Sequence, residues 1–166
     1  MKAARYYGPE KRVVVEEAPD PVPGEGELLV KVVACGVCHT DLHYLDHGVP
    51  TFKAPPVILG HEISGRVAGA GAGVWGWKEG DAVLIPAVLT CGNCRNCREG
   101  RENICEKMEM LGNHRDGGYA EYIAVPAKDC FKLPEGMNVE EAAVIADALS
   151  TPYHAVRNRA KVRPGE

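Results

Sequence analysis

Residues 36–43 read Gly36-Val37-Cys38-His39-Thr40-Asp41-Leu42-His43. This short stretch holds a thiol, a hydroxyl, a carboxylate and two imidazoles. Gly36 allows a tight exit from a strand, and a helical turn that begins near Cys38 places Asp41 beside Cys38 and His43 beside Thr40. A thiol at a helix start is biased toward the thiolate form that binds metals. The pattern favours an active-site segment, and the alternative is an ordinary helix start with a buried cysteine and solvated histidines.

The segments around this stretch predict a mainly β fold. Residues 28–34 form a strongly apolar strand that leads to Cys38, and residues 2–7 and 12–17 are typical of an opening hairpin. A proline-rich connection separates that hairpin from the strand. We predict further strands at residues 57–67, 81–88, 117–125 and 130–133. The first of these is interrupted by a glycine beside His61 and Glu62, where backbones or a ligand approach closely.

The helices that the sequence predicts are few and lie toward the end of the chain. Asn138, followed by Val139-Glu140-Glu141, resembles a capping box that opens a helix through Ala146. A second helix is expected from Tyr153 to Ala160, started by Ser150-Thr151-Pro152. Glycines also recur at residues 69–73, but a turn-rich stretch follows them instead of a helix. We therefore interpret them as a bulged hairpin connection and not as a dinucleotide-binding loop.

Four cysteines with the spacing C-x2-C-x2-C-x7-C predict a structural zinc site at residues 91–105. They are Cys91, Cys94, Cys97 and Cys105. Four thiolates in one short loop can surround zinc tetrahedrally and leave no open coordination position. A zinc knuckle for nucleic acid is the alternative, because three arginines are close by. Three glutamates offset them, and no aromatic residue is interleaved for base stacking.

Composition narrows the class of partner. The 166 residues carry a net charge of -4 with mixed signs, which does not favour a nucleic acid or a membrane surface. No apolar run reaches the length of a membrane span, and the first residues lack the apolar stretch of a signal peptide. We therefore expect a cytoplasmic protein that binds a small molecule. Seven cysteines in that setting indicate metal ligands or reduced thiols instead of disulfides.

Taken together, these motifs resemble those of zinc-dependent alcohol dehydrogenases of the medium-chain dehydrogenase/reductase superfamily. The resemblance rests on residues 36–41, on Gly60-His61-Glu62, on the four cysteines, on residues 117–122 and on their order along the chain. It implies a GroES-like β-barrel catalytic domain at residues 1–147, with the zinc lobe at 91–105. Residues 148–166 would be a connecting helix toward an absent Rossmann domain, which binds the nicotinamide cofactor in the family. The chain then resembles an isolated catalytic domain.

The resemblance also implies roles for individual residues. Cys38 and His61 match ligands of a catalytic zinc, with Glu62 as an exchanging ligand. Asp41 matches the carboxylate that orients His61. Thr40 matches the residue that takes the alcohol proton, and His43 matches the residue that relays it. His39 matches a position near the cofactor pyrophosphate, and Thr151 matches one near the nicotinamide.

The sequence departs from the best-known members at the third zinc ligand, where Asp147 replaces a cysteine. A carboxylate keeps the charge of a thiolate, and its extra atom of reach compensates for the shorter zinc–oxygen bond. The alternative is that Asp147 faces solvent or caps a helix.

The resemblance implies oxidation of an alcohol to a carbonyl, or the reverse, by hydride transfer with NAD or NADP. Two zinc ions are expected, one catalytic and one structural. Because no residue can carry hydride, the chain alone should be inactive. Weak self-association of this chain and a homo-oligomeric parent enzyme are also expected. The alternative from another class is a non-catalytic, zinc-stabilised binding module.

Overall fold

The fold is described from a computed structural model that covers residues 1–10 and 13–166. The described residues form β1 (Lys2–Tyr6), β2 (Val13–Glu17), β3 (Glu27–Gly36), β4 (Val57–Ile58), β5 (Glu62–Ala70), β6 (Ala82–Ile85), β7 (Val88–Leu89), β8 (Glu109–Met110), β9 (Tyr122–Pro126) and β10 (Phe131–Lys132). The α-helices are α1 (His39–His47), α2 (Arg95–Arg98) and α3 (Ser150–Tyr153), which continues as a π-helix over His154–Ala160. Short 3₁₀ helices lie at Glu102–Ile104, Ala127–Asp129 and Glu141–Ile145. The predicted fold class, mainly β with a few short helices, is confirmed.

The larger sheet has the antiparallel strand order β10-β6-β5-β3-β9. Its longest strand, β3, buries Leu28 and Val30 completely, because alternate side chains of a strand point to the same face. The register of β3 against β5 shifts twice, and the pairing ends with Gly36 opposite Glu62. The end of β3 therefore delivers the segment that precedes Cys38 next to the segment that follows His61.

A second, three-stranded sheet has the order β2-β1-β4 and supports α1. Tyr44 of α1 is buried with Tyr6, Val57 and Leu59 in a small apolar cluster. The Tyr6 hydroxyl also donates a hydrogen bond of 2.7 Å to the carbonyl of Tyr44. Helix α1, which carries the polar residues of the 36–43 stretch, is thus held through Tyr44 by this apolar cluster.

Two chain segments cross at Gly60 and Gly117. The backbone N–H groups of Gly117 and Gly118 donate to the carbonyls of Ile58 and Gly60, at 2.7 and 2.9 Å. Gly60 has φ +91°, and a Cβ built on Gly117 would lie 2.1 Å from the Gly60 carbonyl oxygen. Only glycine permits this approach, which agrees with the interpretation of the glycine interruption at residue 60.

Several predicted elements have different bounds in the structure. The strand expected at 117–125 begins only at Tyr122, because the preceding residues form the crossing just described. The strand expected at 81–88 breaks around Pro86, which has no N–H to donate to a ladder. The helix expected after Asn138 is a 3₁₀ segment that starts at Glu141. Arg12, the first residue of the predicted second strand, lies outside the described residues.

The glycine-rich stretch after β5 forms a hairpin connection, as interpreted from the sequence. Gly71, Gly73 and Gly76 have the spacing of a dinucleotide-binding loop, but β5 ends at Ala70 and turns lead from there to the antiparallel strand β6. No helix follows these glycines. None of the helices in the described part of the chain combines the length and the apolar character needed to span a membrane.

Candidate metal centres

The first candidate metal centre is the lobe at residues 91–105. The sulfurs of its four cysteines lie 3.5–4.0 Å apart in the pairs Cys91–Cys97, Cys94–Cys97, Cys94–Cys105 and Cys91–Cys105. Four sulfurs at about 2.3 Å from a tetrahedral zinc would be separated by about 3.8 Å. The thiol arrangement therefore fits a zinc ion with no coordination position left over.

Backbone N–H groups of the lobe point at these sulfurs. Cys91 N–H donates to Cys105 Sγ and Cys94 N–H donates to Cys91 Sγ, both at 3.3 Å. Backbone donors from Cys97 and Glu106 are the main causes that lower the pKa of Cys94 to about 6. Because thiolates are the form that binds metal, these donors favour the metal-binding form of Cys94. Burial acts in the opposite direction at Cys97 and raises the pKa of its thiol.

The second candidate centre begins at the N-terminus of α1. Cys38 is the N-cap, with an extended backbone at φ -99° and ψ 155°. Its N–H donates to Asp41 Oδ2 at 3.1 Å, so Asp41 and Cys38 are neighbours as the i,i+3 spacing predicts. The thiol of Cys38 lies 3.6 Å from Thr40 Oγ1. The helix start therefore presents a thiol, a hydroxyl and a carboxylate within one turn.

His61 and Glu62 approach this helix start from the beginning of β5. His61 is 1% exposed, and its Nε2 is the one buried side-chain nitrogen or oxygen among the described residues without a hydrogen-bond partner. Its Nδ1 lies 3.9 Å from Asp41 Oδ1, while that oxygen accepts a hydrogen bond from Gly60 N–H at 3.3 Å. Glu62 is also buried, and burial is the main cause that raises its pKa. A buried imidazole nitrogen without a partner costs free energy unless something binds it.

Asp147 completes the cluster from the other end of the chain. Its Oδ2 lies 3.5 Å from His61 Nε2 and 3.7 Å from Cys38 Sγ. Ligand atoms of Cys38, His61, Glu62 and Asp147 all lie within 4.8 Å of one another. The unpartnered Nε2 at the centre of a thiol and two carboxylates fits a zinc ion, since these are the donor types that zinc takes.

The remaining predicted residues lie at the rim of this cluster. His39, His43 and His47 are exposed along one face of α1, with ring centroids 5.0 and 5.5 Å apart in edge-to-face pairs. Thr40 is half-buried between this face and Cys38. The Thr151 hydroxyl donates to Asp147 Oδ1, one helical turn away. Thr151 therefore has a partner in the cluster itself. Its position near the nicotinamide, which the family resemblance implies, stays a prediction.

Sequence reasoning missed two supporting residues. A Cβ on Gly36 would lie 2.1 Å from Glu62 Oε2, so Gly36 leaves the space that the Glu62 carboxylate fills. The hydroxyl of Tyr119 donates to Asp41 Oδ2 at 2.9 Å, and the same hydroxyl lies 3.1 Å from the carbonyl oxygen of Gly36. Burial is the main cause that raises the pKa of Tyr119, followed by the charge of Asp41. The motif at residues 117–122 pointed to this region of the sequence. The contact between Tyr119 and Asp41 could not be predicted from it, because the two residues are 78 positions apart.

These features define a GroES-like domain with a four-cysteine lobe and a mixed thiol, imidazole and carboxylate cluster. The family of the alcohol dehydrogenase GroES-like domain matches residues 24–135, and the chain belongs to that family.

Named relatives agree with this assignment. An alcohol dehydrogenase of Geobacillus stearothermophilus is 41% identical over 167 aligned positions, which cover 100% of this chain and 49% of the relative. The structure of a cobalt- and zinc-bound thermostable alcohol dehydrogenase from Pyrobaculum aerophilum matches with a TM-score of 0.91 at 36% identity, and the match covers 100% of this chain and 50% of that one. Acetophenone reductase from Geotrichum candidum, solved in complex with NAD, matches with a TM-score of 0.86 at 37% identity, over 95% and 47% of the two chains. The chain spans about half the length of the curated relatives it matches.

Proposed function

We propose that this chain is the metal- and substrate-binding half of a zinc-dependent dehydrogenase, which interconverts an alcohol and a carbonyl with NAD or NADP. The observation that carries this proposal is the unpartnered Nε2 of His61, buried among Cys38, Asp147 and Glu62. Cys38, His61 and Asp147 would hold a catalytic zinc, with Glu62 as an exchanging ligand. Cys91, Cys94, Cys97 and Cys105 would hold a structural zinc.

When bound, the catalytic zinc supplies a Lewis acid for the substrate oxygen. The chain's own residues handle the proton. Thr40 Oγ1, which lies 3.6 Å from Cys38 Sγ, would accept a proton from a hydroxyl held beside the cluster and release its own proton toward His43. His43 follows one turn later on the exposed face of α1, where an imidazole can pass that proton to solvent. Asp41 would hold the His61 ring in place, and Tyr119 would hold Asp41.

Hydride transfer requires a nicotinamide cofactor, because no protein side chain accepts hydride. The relatives are about twice as long as this chain, so we propose that the rest of the parent protein binds most of the cofactor. In this view residues 1–147 form the catalytic domain, and 148–166 connect it to the cofactor domain. His39, exposed at the start of α1, would contact the cofactor. The 166 residues alone should then bind zinc without turning over substrate.

The C-terminal segment supports this division. Leu149, Tyr153 and Val156 are each more than half exposed. The three residues follow one another at spacings of four and three, which places apolar side chains near one another on a helix, and a contiguous exposed apolar patch indicates an interaction surface. Weak self-association of the isolated chain through this segment is the outcome that sedimentation at high concentration should detect.

Metal counting on the unchanged chain and on Cys38→Ala tests the proposal. We expect two zinc ions in the unchanged chain and one in the variant, because Cys38 is a ligand in the cluster and not in the lobe. Cys130→Ser is the matched control, because Cys130 lies in neither centre, and it should retain both ions. A single ion in both the unchanged chain and Cys38→Ala would overturn the proposal and favour a binding module that needs only the lobe zinc. Alcohol oxidation by the 166 residues with NAD or NADP would overturn the division into two halves.

A further inference from the structure

The two oxygens of the Asp147 carboxylate have different surroundings. Oδ2 faces the cluster, at 3.5 Å from His61 Nε2 and 3.7 Å from Cys38 Sγ. Oδ1 accepts a hydrogen bond from the Thr151 hydroxyl. One oxygen therefore lies beside the other candidate ligands, and the other is engaged by Thr151.

Local helix geometry explains why Thr151 reaches this carboxylate. Thr151 follows Asp147 by four residues, and its N–H donates to the carbonyl of Asp147 at 2.9 Å, as in a helical turn. Residues four apart on a helix share a face. The neighbouring hydroxyl of Ser150 donates instead to the carbonyl of Ala146, at 3.1 Å. Of two adjacent hydroxyls, only that of Thr151 contacts the carboxylate.

A carboxylate ligand needs such a partner more than a thiolate does. A thiolate offers one atom, whereas a carboxylate can bind through one or both oxygens and can rotate between these modes. The Asp147 side chain is 27% exposed, so packing alone does not fix it. A hydrogen bond from Thr151 to Oδ1 leaves Oδ2 for the metal and disfavours binding through both oxygens, which would occupy an additional coordination position.

We propose that Thr151 is a positioning residue, which holds Asp147 as a one-oxygen ligand of the catalytic metal. This inference rests on the proposed function, because it requires a metal at the cluster. It gives Thr151 a role that depends on the aspartate at position 147. In a chain with a cysteine at that position, the hydroxyl would have no second ligand oxygen to hold.

The test uses Thr151→Val, which has a similar shape and no hydroxyl, with Ser150→Ala as the matched control. The probes are Zn²⁺ in competition with a chelator, and Co²⁺, whose visible absorption reports coordination number and geometry. Partners of metal ligands typically change metal affinity by about 10–100-fold when they are removed. We expect Thr151→Val to weaken the cluster site within that range and to alter its cobalt spectrum, while the lobe site stays unchanged as an internal reference. Ser150→Ala should change neither the affinity nor the spectrum of the cluster site. Thr151→Ser, which keeps a hydroxyl, should retain the affinity and the spectrum of the unchanged chain.

A double-variant comparison separates positioning from a general effect on the helix. In an Asp147→Cys background, Thr151→Val should leave the cobalt spectrum and affinity of the cluster unchanged. An effect of equal size in both backgrounds would overturn the inference, as would a Thr151→Val chain with unchanged affinity and spectrum. If the unchanged chain binds no second metal, the proposed function itself fails, and this inference fails with it. If it binds a second metal that is indifferent to Thr151→Val, only the role of Thr151 is lost.

Discussion

The lobe and the cluster are built in opposite ways. The lobe takes all its candidate ligands from residues 91–105, and backbone N–H groups of the same loop donate to their sulfurs. The cluster takes its candidate ligands from three separate parts of the chain, and two of them, Cys38 and Asp147, are 109 positions apart. Its supporting partners include Asp41, from the same helix start as Cys38, and Tyr119, from a segment 78 positions further along the chain. A local site can order its own loop around a metal, whereas a distributed site depends on a fold that already exists.

The largest expected effect is the loss of the lobe metal in Cys97→Ser. A loop without an apolar core of its own gains its order from metal binding, and structural zinc in small motifs contributes on the order of 10 kcal/mol. We expect Cys97→Ser to lose one zinc ion and to become cleavable by protease within residues 91–105. The cluster should keep its ion, because none of its ligands lies in the lobe.

Metal analysis combined with mass mapping of the protease fragments checks this prediction. Cys130→Ser serves again as the control, because Cys130 is a half-buried thiol whose Sγ contacts the Pro126 carbonyl at 3.5 Å, outside both centres. Loss of both ions in Cys97→Ser would show that the two regions are not independent, and the comparison would fail.

The next effect in size concerns Asp41, which accepts hydrogen bonds from Gly60 N–H and Tyr119 and lies 3.9 Å from His61 Nδ1. Replacement of partners that orient metal-bound histidines typically lowers affinity by about 10–100-fold. We expect Asp41→Asn to weaken zinc at the cluster within that range and to leave the lobe affinity unchanged. Chelator competition on one sample measures the ratio of the zinc affinities of the cluster and the lobe directly. Equal weakening at both sites would mean that Asp41 acts on overall stability and not on the cluster.

The contrast between the two regions also explains what could be predicted from the sequence. The four cysteines of the lobe were assigned together because their close spacing within one loop is enough to bring four thiols around one ion. Strand β3 and the start of α1 were predicted because apolar residues and a helix-start pattern are local signals. The mainly β class followed from the same kind of signal.

The cluster could be assigned residue by residue only through a family resemblance. No local pattern shows that Asp147 approaches Cys38, since that contact depends on the path of all the strands between them. The contact between Thr151 and Asp147 is local, since the two residues are four apart; it was not predicted because the predicted helix began after both residues, at Tyr153. The 3₁₀ segment at Glu141–Ile145 was expected to be an α-helix, because the capping pattern after Asn138 resembles that of a longer helix.

A smaller effect is expected from Gly36→Ala, which adds one methyl group beside Glu62. The new Cβ would lie 2.1 Å from Glu62 Oε2, and overpacking of this kind typically costs about 1–3 kcal/mol. Gly69→Ala is the matched control on the paired strand β5, because its Cβ would meet no atom closer than 3.8 Å. Chemical denaturation should therefore show a lower free energy of unfolding for Gly36→Ala and a change within about 0.5 kcal/mol for Gly69→Ala. Equal changes in the two variants would mean that the Glu62 carboxylate does not need the space at Gly36.

The smallest effect tests how far the support of the cluster extends from the metal. Tyr119→Phe removes only the hydroxyl that donates to Asp41 Oδ2, at 2.9 Å, and Asp41 keeps its bonds from Cys38 and Gly60 N–H groups. The loss of one such hydrogen bond should lower the free energy of unfolding by about 1 kcal/mol. Zinc affinity at the cluster should fall by less than in Asp41→Asn, because Tyr119 acts on the metal only through Asp41. Tyr153→Phe, in the exposed C-terminal helix, is the control and should change neither quantity. If Tyr119→Phe weakened the cluster as much as Asp41→Asn does, the hydroxyl and the carboxylate would act as one unit, and the distributed site would extend at least one residue further into the fold than its ligands and their direct partners.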